Sequence, residues 1–134
     1  MLYLLRRYLS IEQAQNLLLS LKDPQLAKAL VLLHQSPAKA WTLQELAQDI
    51  GMSRAVLAKR FKEGIQQTMY GYLTELRMEA AKQLLAESGT RWDFVPAKVG
   101  YQSELSFVRA FKQYAKMTPL QYQQQRQLDD KTFT

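Results

Sequence analysis

Apolar residues recur at helical spacing along most of the chain, and one such pattern occurs twice. In segments 53–62 and 103–112, a serine is followed by apolar residues four and eight positions later and then by a lysine. Serine is a favoured N-cap, and apolar residues four positions apart lie on one face of a helix. Each segment is therefore predicted to be a short amphipathic helix with one buried and one free face. We call these two segments the probe helices.

A second shared element precedes each probe helix. Segments 43–51 and 92–100 place apolar residues at matching positions, and each ends in glycine. Gly51 can adopt the left-handed backbone conformation that reverses the chain, and Ala47 lets two helices cross closely. One such spacing is a weak signal, but two copies with matched apolar positions predict two helix-turn-helix units.

Helix-start signals mark the first part of the chain. Residues 2–21 form a leucine-rich amphipathic pattern that requires a partner surface. Asp23 and Pro24 predict the N-cap and the first position of the next helix, which is expected to end at Ser36. Thr42 is the predicted N-cap of the first helix-turn-helix unit.

A long helical pattern from residue 69 to residue 87 connects the two units and stops at Gly89. Such a helix is about 28 Å long, which is close to the roughly 34 Å between successive major-groove faces of DNA. Two probe helices joined by it are therefore expected to enter adjacent grooves. Thr118 and Pro119 predict one short capped turn of helix after the second unit, and the residues beyond it are expected to fray.

The predicted fold class is all-α, with two helix-turn-helix subdomains joined by a long linker helix and preceded by an extra N-terminal helix. The length of 134 residues allows one domain or two small ones with helical cores of modest size. The predicted boundaries are 1–22 for the N-terminal helix, 23–67 for the first subdomain, 68–88 for the linker helix, 89–125 for the second subdomain and 126–134 for a frayed tail.

Charge narrows the class of partner. The chain has 18 Lys and Arg against 12 Asp and Glu, a formal charge of +6, which favours an acidic partner such as nucleic acid. The first probe helix carries four cations and no acid, whereas the second carries two cations and Glu104. Residues 1–21 are interrupted too often by polar residues to span a membrane, and they lack a signal-peptide cleavage site. A cytoplasmic protein without a membrane partner is expected.

Catalytic signatures are absent from the sequence. There is no glycine-rich phosphate loop, no nucleophile with a plausible histidine base and no pair of carboxylates at suggestive spacing. His34 is the single histidine and there is no cysteine, which argues against a metal site. No enzymatic activity, metal or cofactor is therefore predicted.

Several short sequence motifs lie along most of the chain, and together they form one recognisable pattern. They are Trp41-Thr-Leu-x-x-Leu46-Ala47, Gly51-Met-Ser53, Arg60-Phe61-Lys62, Tyr72-Leu73, Arg77-Met78-x-x-Ala81, Val99-Gly100-Tyr101-x-Ser103, Phe107-x-Arg109-x-Phe111-Lys112 and Thr118-Pro119-x-x-Tyr122. Over residues 23–123 they resemble the DNA-binding domain of the AraC/XylS family of bacterial transcription regulators. The resemblance implies a regulator that inserts two recognition helices into adjacent major grooves of double-stranded promoter DNA, with RNA polymerase as a further partner.

The family resemblance also bears on residues 1–21. Many relatives carry an N-terminal effector or dimerisation domain, often a small cupin-type barrel, for which this chain has no room. Residues 1–21 resemble the last helix of such a domain. The chain is then a fragment of a longer regulator, which we prefer, or a stand-alone short activator. A homodimer through residues 1–21 is left open, and the alternative function is a truncated interaction module that dimerises there and antagonises a full-length relative.

The first probe helix supplies the clearer candidate site. Leu57 and Phe61 are expected to point inward, which leaves an outer face toward DNA. Its predicted DNA-binding residues are Arg54, Ala55, Ala58, Lys59 and Lys62. Arginine and lysine can pair with guanine O6 and N7, and alanine can touch a thymine methyl group. The alternative interpretation is that these cations form only a solvated face.

The second probe helix has a more mixed outer face. Phe107 and Phe111 are expected to point inward. The predicted DNA-binding residues are Glu104, Leu105, Ser106, Val108, Arg109 and Lys112. Glu104 repels phosphate but can accept a hydrogen bond from cytosine N4. We therefore expect the first unit to read sequence and the second to position the complex, with Arg109 as its chief polar contact.

Two positions depart from the family pattern. Pro96 stands where the first unit has Ala47, and a proline inside a helix costs about 3 kcal/mol. The predicted solution is a kink or a late helix start with Asp93 as N-cap, which would place Pro96 among positions whose N–H has no partner within the helix. Gln123 stands where relatives often have arginine, and a lost phosphate contact is the expected consequence.

Overall fold

The computed structural model describes residues 23–133, and throughout this range the chain forms helices and loops without a strand. The α-helices of this range are α1 (Pro24–Gln35), α2 (Leu43–Asp49), α3 (Arg54–Ile65), α4 (Met69–Ala86), α5 (Val95–Lys98), α6 (Glu104–Ala115) and α7 (Pro119–Phe133). A 3₁₀ turn at Trp92–Phe94 leads directly into α5. The predicted all-α class is confirmed, whereas the helix predicted at 1–22 lies outside the described residues.

Four of the five predicted N-caps are confirmed. Side-chain oxygens of Asp23, Thr42, Ser53 and Ser103 each accept a hydrogen bond from the backbone N–H three residues later, at 3.1, 3.0, 3.2 and 3.0 Å. These bonds satisfy N–H groups that have no partner within the helix. Both probe helices, α3 and α6, therefore begin where the sequence predicts.

The described part of the chain divides into two compact units, one ending at Leu76 and the other beginning at Arg77, and the division falls inside α4. The first core draws on α1 to α4, and the second draws on the later part of α4 and on the helices that follow it. The two cores have no residue in common. The predicted linker helix corresponds to α4, while the finer subdomain boundaries stay a prediction.

Aromatic packing fixes α3 on the first core. Leu57 and Phe61 are fully buried, as predicted. The Phe61 ring meets the edge of the Tyr72 ring at a centroid distance of 5.7 Å. The Tyr72 hydroxyl is hydrogen-bonded to His34 Nε2 at 2.5 Å. The single histidine thus ties α1 to α4, beneath the probe helix.

The repeat extends beyond the probe helices. In the second unit the buried Phe111 ring meets Tyr122 edge-on at 5.7 Å, which reproduces the aromatic pair of the first unit. Both probe helices also end in a left-handed residue, Gln66 with φ 65° and Lys116 with φ 64°. Each unit therefore comprises a support helix, a turn, a probe helix and the start of a third helix, which is a longer repeat than the sequence alone reveals.

The two glycine turns have the same hydrogen-bond pattern. In the first unit the Met52 N–H donates to the Ala47 carbonyl at 2.9 Å, and Gly51 between them has φ 71°. In the second unit the Tyr101 N–H donates to the Pro96 carbonyl, also at 2.9 Å. This six-residue closure is the Schellman motif, which needs a left-handed residue that glycine provides at least cost. It fixes the angle at which each probe helix leaves its support helix.

A late helix start accommodates the proline of the second unit, as predicted. α5 begins at Val95, so Pro96 occupies the second helical position, where an N–H would have no partner within the helix. The predicted N-cap is wrong, because the capping residue is Phe94, which makes no side-chain cap bond. The Asp93 carboxylate instead accepts a hydrogen bond from the Arg91 guanidinium at 2.9 Å.

The last helix departs most from the sequence prediction. A single capped turn is predicted after Thr118, and fraying is expected from residue 126, whereas α7 continues to Phe133. Its start is a reciprocal capping box, in which Thr118 Oγ1 accepts from the Gln121 N–H at 3.1 Å and Gln121 Oε1 accepts from the Thr118 N–H at 2.9 Å. The single-turn prediction is wrong because this cap and the packing of Tyr122 on the second core both favour a longer helix.

Gln123 has a structural role that its sequence position does not suggest. The side chain is 7% exposed, and its amide nitrogen donates to the Leu85 carbonyl at 3.3 Å and to the Thr90 carbonyl at 2.7 Å. These acceptors lie at the end of α4 and in the loop after it. The sequence predicts only a lost phosphate contact at this position and does not reveal that the side chain points into the second unit and bonds its backbone.

We expect Gln123→Ala to lower the free energy of unfolding of the second unit by about 2–3 kcal/mol, because two carbonyls would lose their donor. Urea unfolding followed by the fluorescence of Trp92 measures this change. Gln124→Ala, at the exposed neighbouring position, is the matched control and should change the free energy by less than about 0.5 kcal/mol. Equal effects of the two substitutions would contradict the structural role.

Candidate DNA interface

The outer face of α3 is exposed as predicted. We call its five residues, Arg54, Ala55, Ala58, Lys59 and Lys62, the first outer face; all five are exposed. The opposite side of the helix buries its leucine and phenylalanine in the first core. The first outer face therefore presents three cations and two small residues, with no carboxylate among them.

The outer face of α6 is smaller than predicted. Glu104, Leu105, Ser106, Arg109 and Lys112 are exposed, and we call them the second outer face. Val108 was expected to face outward, but it is half-buried and packs against the second core. It follows the buried Phe107 directly, so it lies at the edge of the core-facing side. The second outer face thus combines two cations with an acid and an apolar side chain.

The cations on the two outer faces make no ion pair with any described residue. These cations are Arg54, Lys59, Lys62, Arg109 and Lys112. Arg60, also on α3, behaves differently. Its guanidinium donates to Gln25 Oε1 at 2.9 Å and lies 4.0 Å from the Asp23 carboxylate, which directs it toward α1. The charges of the outer faces therefore remain available to an external anion.

An arginine supports the turn before α6. The Arg77 guanidinium lies 5.6 Å from the centroid of the Tyr101 ring, and that ring meets the Phe107 ring at 5.6 Å. Burial lowers the pKa of Arg77 below its ordinary value, and the charge interaction with Tyr101 opposes this shift. Arginine stays protonated at neutral pH, so a charged guanidinium packs on the Tyr101 ring, which in turn meets Phe107 of the second probe helix edge-on.

A shallow cleft borders each outer face. The first-unit cleft has a volume of about 270 Å³ and is lined by Thr42, Leu43, Gln44, Arg54 and Tyr70. The second-unit cleft has a volume of about 470 Å³ and is lined by Thr90, Arg91, Trp92, Asp93, Glu104 and Gln123. Sequence reasoning missed Tyr70 because nothing in the helical pattern marks it. In the structure its side chain is 53% exposed, and its hydroxyl accepts a hydrogen bond from the Leu43 N–H at the start of α2.

The described range of the chain contains neither a membrane-spanning helix nor a metal-binding cluster. None of its helices is long and apolar enough to cross a membrane. Within the same range, no three His, Asp or Glu side chains are arranged to hold a metal ion.

Comparison with known proteins defines the class first. A family profile described as a helix-turn-helix domain matches residues 46–125, which is more than half of the chain. The chain is 36% identical over 115 residues to the HTH-type transcriptional regulator AlkR of Acinetobacter baylyi, covering 86% of this chain and 38% of that protein. It is 33% identical over 123 residues to the regulator GadX of Escherichia coli, covering 90% of this chain and 44% of that protein.

Solved structures agree with the sequence comparison. A DNA-binding transcriptional dual regulator from Escherichia coli K-12 superposes with a TM-score of 0.71 at 30% identity, covering 78% of this chain and 93% of that chain. A regulator from Chromobacterium violaceum with an AraC-type DNA-binding domain also gives a TM-score of 0.71, at 25% identity, covering 77% of this chain and 92% of that chain.

The chain therefore belongs to the AraC family of helix-turn-helix transcription regulators, whose members are DNA-binding proteins of bacteria and not enzymes. It spans about two-fifths of the length of the two curated relatives named above.

Proposed function

We propose that this chain binds a specific sequence of double-stranded promoter DNA by inserting α3 and α6 into adjacent major grooves. The observation that carries the proposal is the pair of exposed outer faces whose cations have no partner among the described residues. A cation that the core leaves free can neutralise a phosphate or pair with a base edge. The proposed setting is the bacterial cytoplasm, with RNA polymerase as a second partner at the promoter.

The two outer faces support different roles. The first combines Arg54 and Lys59, either of which can donate paired hydrogen bonds to guanine, with small residues that permit close approach to thymine methyl groups. The second contains Glu104, which repels phosphate and can accept from cytosine N4, and Leu105, which is 61% exposed. We therefore assign sequence reading mainly to α3 and positioning mainly to α6, with Arg109 as its chief polar contact.

Selection from a random duplex library tests the proposal. The full chain should enrich a defined sequence on duplexes longer than about 20 base pairs, and its affinity should fall steeply as salt displaces phosphate contacts. The same selection with residues 1–21 removed tests whether this segment supplies a homodimer, because a dimer that depends on it would no longer select a second half-site. Strong self-association with weak duplex binding would instead favour the antagonist function.

The division of roles can be tested by removing one cation from each outer face. We expect Lys59→Ala to cost about 1–3 kcal/mol on the preferred duplex and to relax preference at one base pair. Arg109→Ala should weaken binding to all sequences by a similar factor. Competition between the preferred duplex and single-base variants measures both effects. The assignment is wrong if Arg109→Ala relaxes base preference more than Lys59→Ala does.

A further inference from the structure

The first-unit cleft joins the starts of three helices. Thr42 caps α2, Arg54 is the first residue of α3, and Tyr70 lies in the first turn of α4. The remaining described lining residues are Leu43 and Gln44, so none of the described residues that line this cleft carries a carboxylate. Arg54 is exposed and forms no ion pair with a described residue. The cleft borders the first outer face because Arg54 belongs to both.

Hydroxyl groups give this cleft hydrogen-bond donors. The Tyr70 hydroxyl oxygen accepts from the Leu43 N–H at 3.3 Å, and Thr42 Oγ1 accepts from the Glu45 N–H at 3.0 Å. A hydroxyl carries one proton of its own in addition to its acceptor lone pairs. Since both oxygens already accept, each has a proton left to donate, and within the described range neither proton has an acceptor. The cleft therefore offers two hydroxyl donors beside a guanidinium.

The equivalent cleft of the second unit has the opposite character. Among its described lining residues, Asp93 and Glu104 carry carboxylates, and the one cation, Arg91, is paired with Asp93 at 2.9 Å. Glu104 occupies the first position of α6, where α3 has Arg54. Leu120 takes the place of Tyr70 in the first turn of the third helix and has no hydroxyl. Two carboxylates repel an anion, so of the two clefts only the first-unit cleft is suited to bind an anion.

We propose that the first-unit cleft binds a phosphate of the DNA backbone, with Arg54 supplying the charge and Tyr70 donating its hydroxyl proton to a phosphate oxygen. The proposal rests on the proposed function and deepens it. It divides the cations of the first outer face: Arg54 holds the backbone, while Lys59 remains to read a base. A fixed phosphate at the start of α3 sets how that helix enters the groove, so Tyr70 positions the base-reading residue without touching a base.

Tyr70→Phe is the central test, because it keeps the ring and removes the hydroxyl. The probe is a set of four unrelated duplexes of about 24 base pairs, long enough for two adjacent grooves. We expect Tyr70→Phe to weaken binding to every duplex by the same factor, about three- to tenfold, because a phosphate contact carries no sequence information. Arg54→Gln should weaken binding uniformly as well and should lower the slope of affinity against salt by about one unit.

A double variant separates a shared phosphate from a structural effect. If Tyr70 and Arg54 hold one phosphate, the double variant should lose less binding free energy than the sum of the losses in Tyr70→Phe and Arg54→Gln. The urea midpoint of each variant shows whether folding is intact. Leu120→Ala, at the equivalent position of the second unit, is the matched control and should leave affinity unchanged. A Tyr70→Phe loss confined to one duplex, or fully additive with Arg54→Gln, would overturn the proposal.

The outcomes also distinguish this proposal from the proposed function. Salt-sensitive duplex binding by the unmodified chain together with normal binding by Tyr70→Phe would overturn the phosphate cleft alone. Failure of the unmodified chain to bind any duplex would overturn both.

Discussion

Replacing Arg54, Lys59 and Lys62 together with glutamine is expected to weaken duplex binding by about 10²- to 10⁴-fold at roughly 0.1 M salt. Each side chain contributes a charged contact to phosphate or base, and such contacts are worth about 1–2 kcal/mol each. The slope of log affinity against log salt should fall by about two to three units, because two or three fewer counterions are released. Titration of a labelled duplex at several salt concentrations measures both quantities.

A second triple variant controls for total charge. Lys28, Lys98 and Arg126 are exposed, lie outside both outer faces and form no ion pair with the described residues. Replacing these three with glutamine lowers the formal charge of +6 by the same amount. We expect it to weaken binding less than about tenfold, through the long-range field alone. Equal losses in the two triple variants would mean that α3 has no special place in the interface.

Phe61→Ala is expected to have the largest effect on folding. The ring is fully buried between α3 and α4 and packs edge-on against Tyr72. Its removal should cost about 3–5 kcal/mol, from lost burial and the cavity left behind. A unit of this size has little stability to spare, so the first unit should unfold at much lower urea or lose its cooperative transition. Duplex affinity should fall with it, since the first outer face would no longer be held.

One tryptophan in each unit makes the measurement specific. Trp41 is buried in the first core and Trp92 packs against the second, and the chain has two tryptophans in all. With Trp92→Phe as background, fluorescence reports the first unit alone, and Trp41→Phe serves the second. Phe61→Leu is the milder companion, expected to cost about 1–1.5 kcal/mol. If Phe61→Ala shifted both tryptophan signals equally, the two cores would unfold as one cooperative unit.

Features set by neighbouring residues could be predicted from the sequence. A serine or threonine before an apolar pattern caps a helix by bonding an N–H three residues away, so Ser53 and Ser103 were sufficient to locate α3 and α6. The turn at Gly51 followed in the same way from the conformational freedom of glycine. The inward and outward sides of α3 followed from helical periodicity, since each depends on positions within one helix. The roles of the outer residues in DNA binding stay predictions.

Features set by distant residues could not be predicted. Gln123 is buried because two carbonyls more than thirty positions earlier in the chain require a donor, and no local pattern reveals that requirement. Val108 lies at the edge of a helix face, where periodicity cannot separate half-burial from exposure. Tyr70 joins the first-unit cleft because α2, α3 and α4 begin close together. Each outcome depends on tertiary packing, which a single sequence does not specify.

The repeated internal scaffold also bears on how such a protein can change over generations. In both units, folding depends on a capping serine, two buried residues of the probe helix and a left-handed glycine. Outward positions such as 54 and 104 contribute little to folding, and they already differ, since one is arginine and the other glutamate. Because the two cores have no residue in common, a substitution on one outer face leaves the packing of the other unit unchanged.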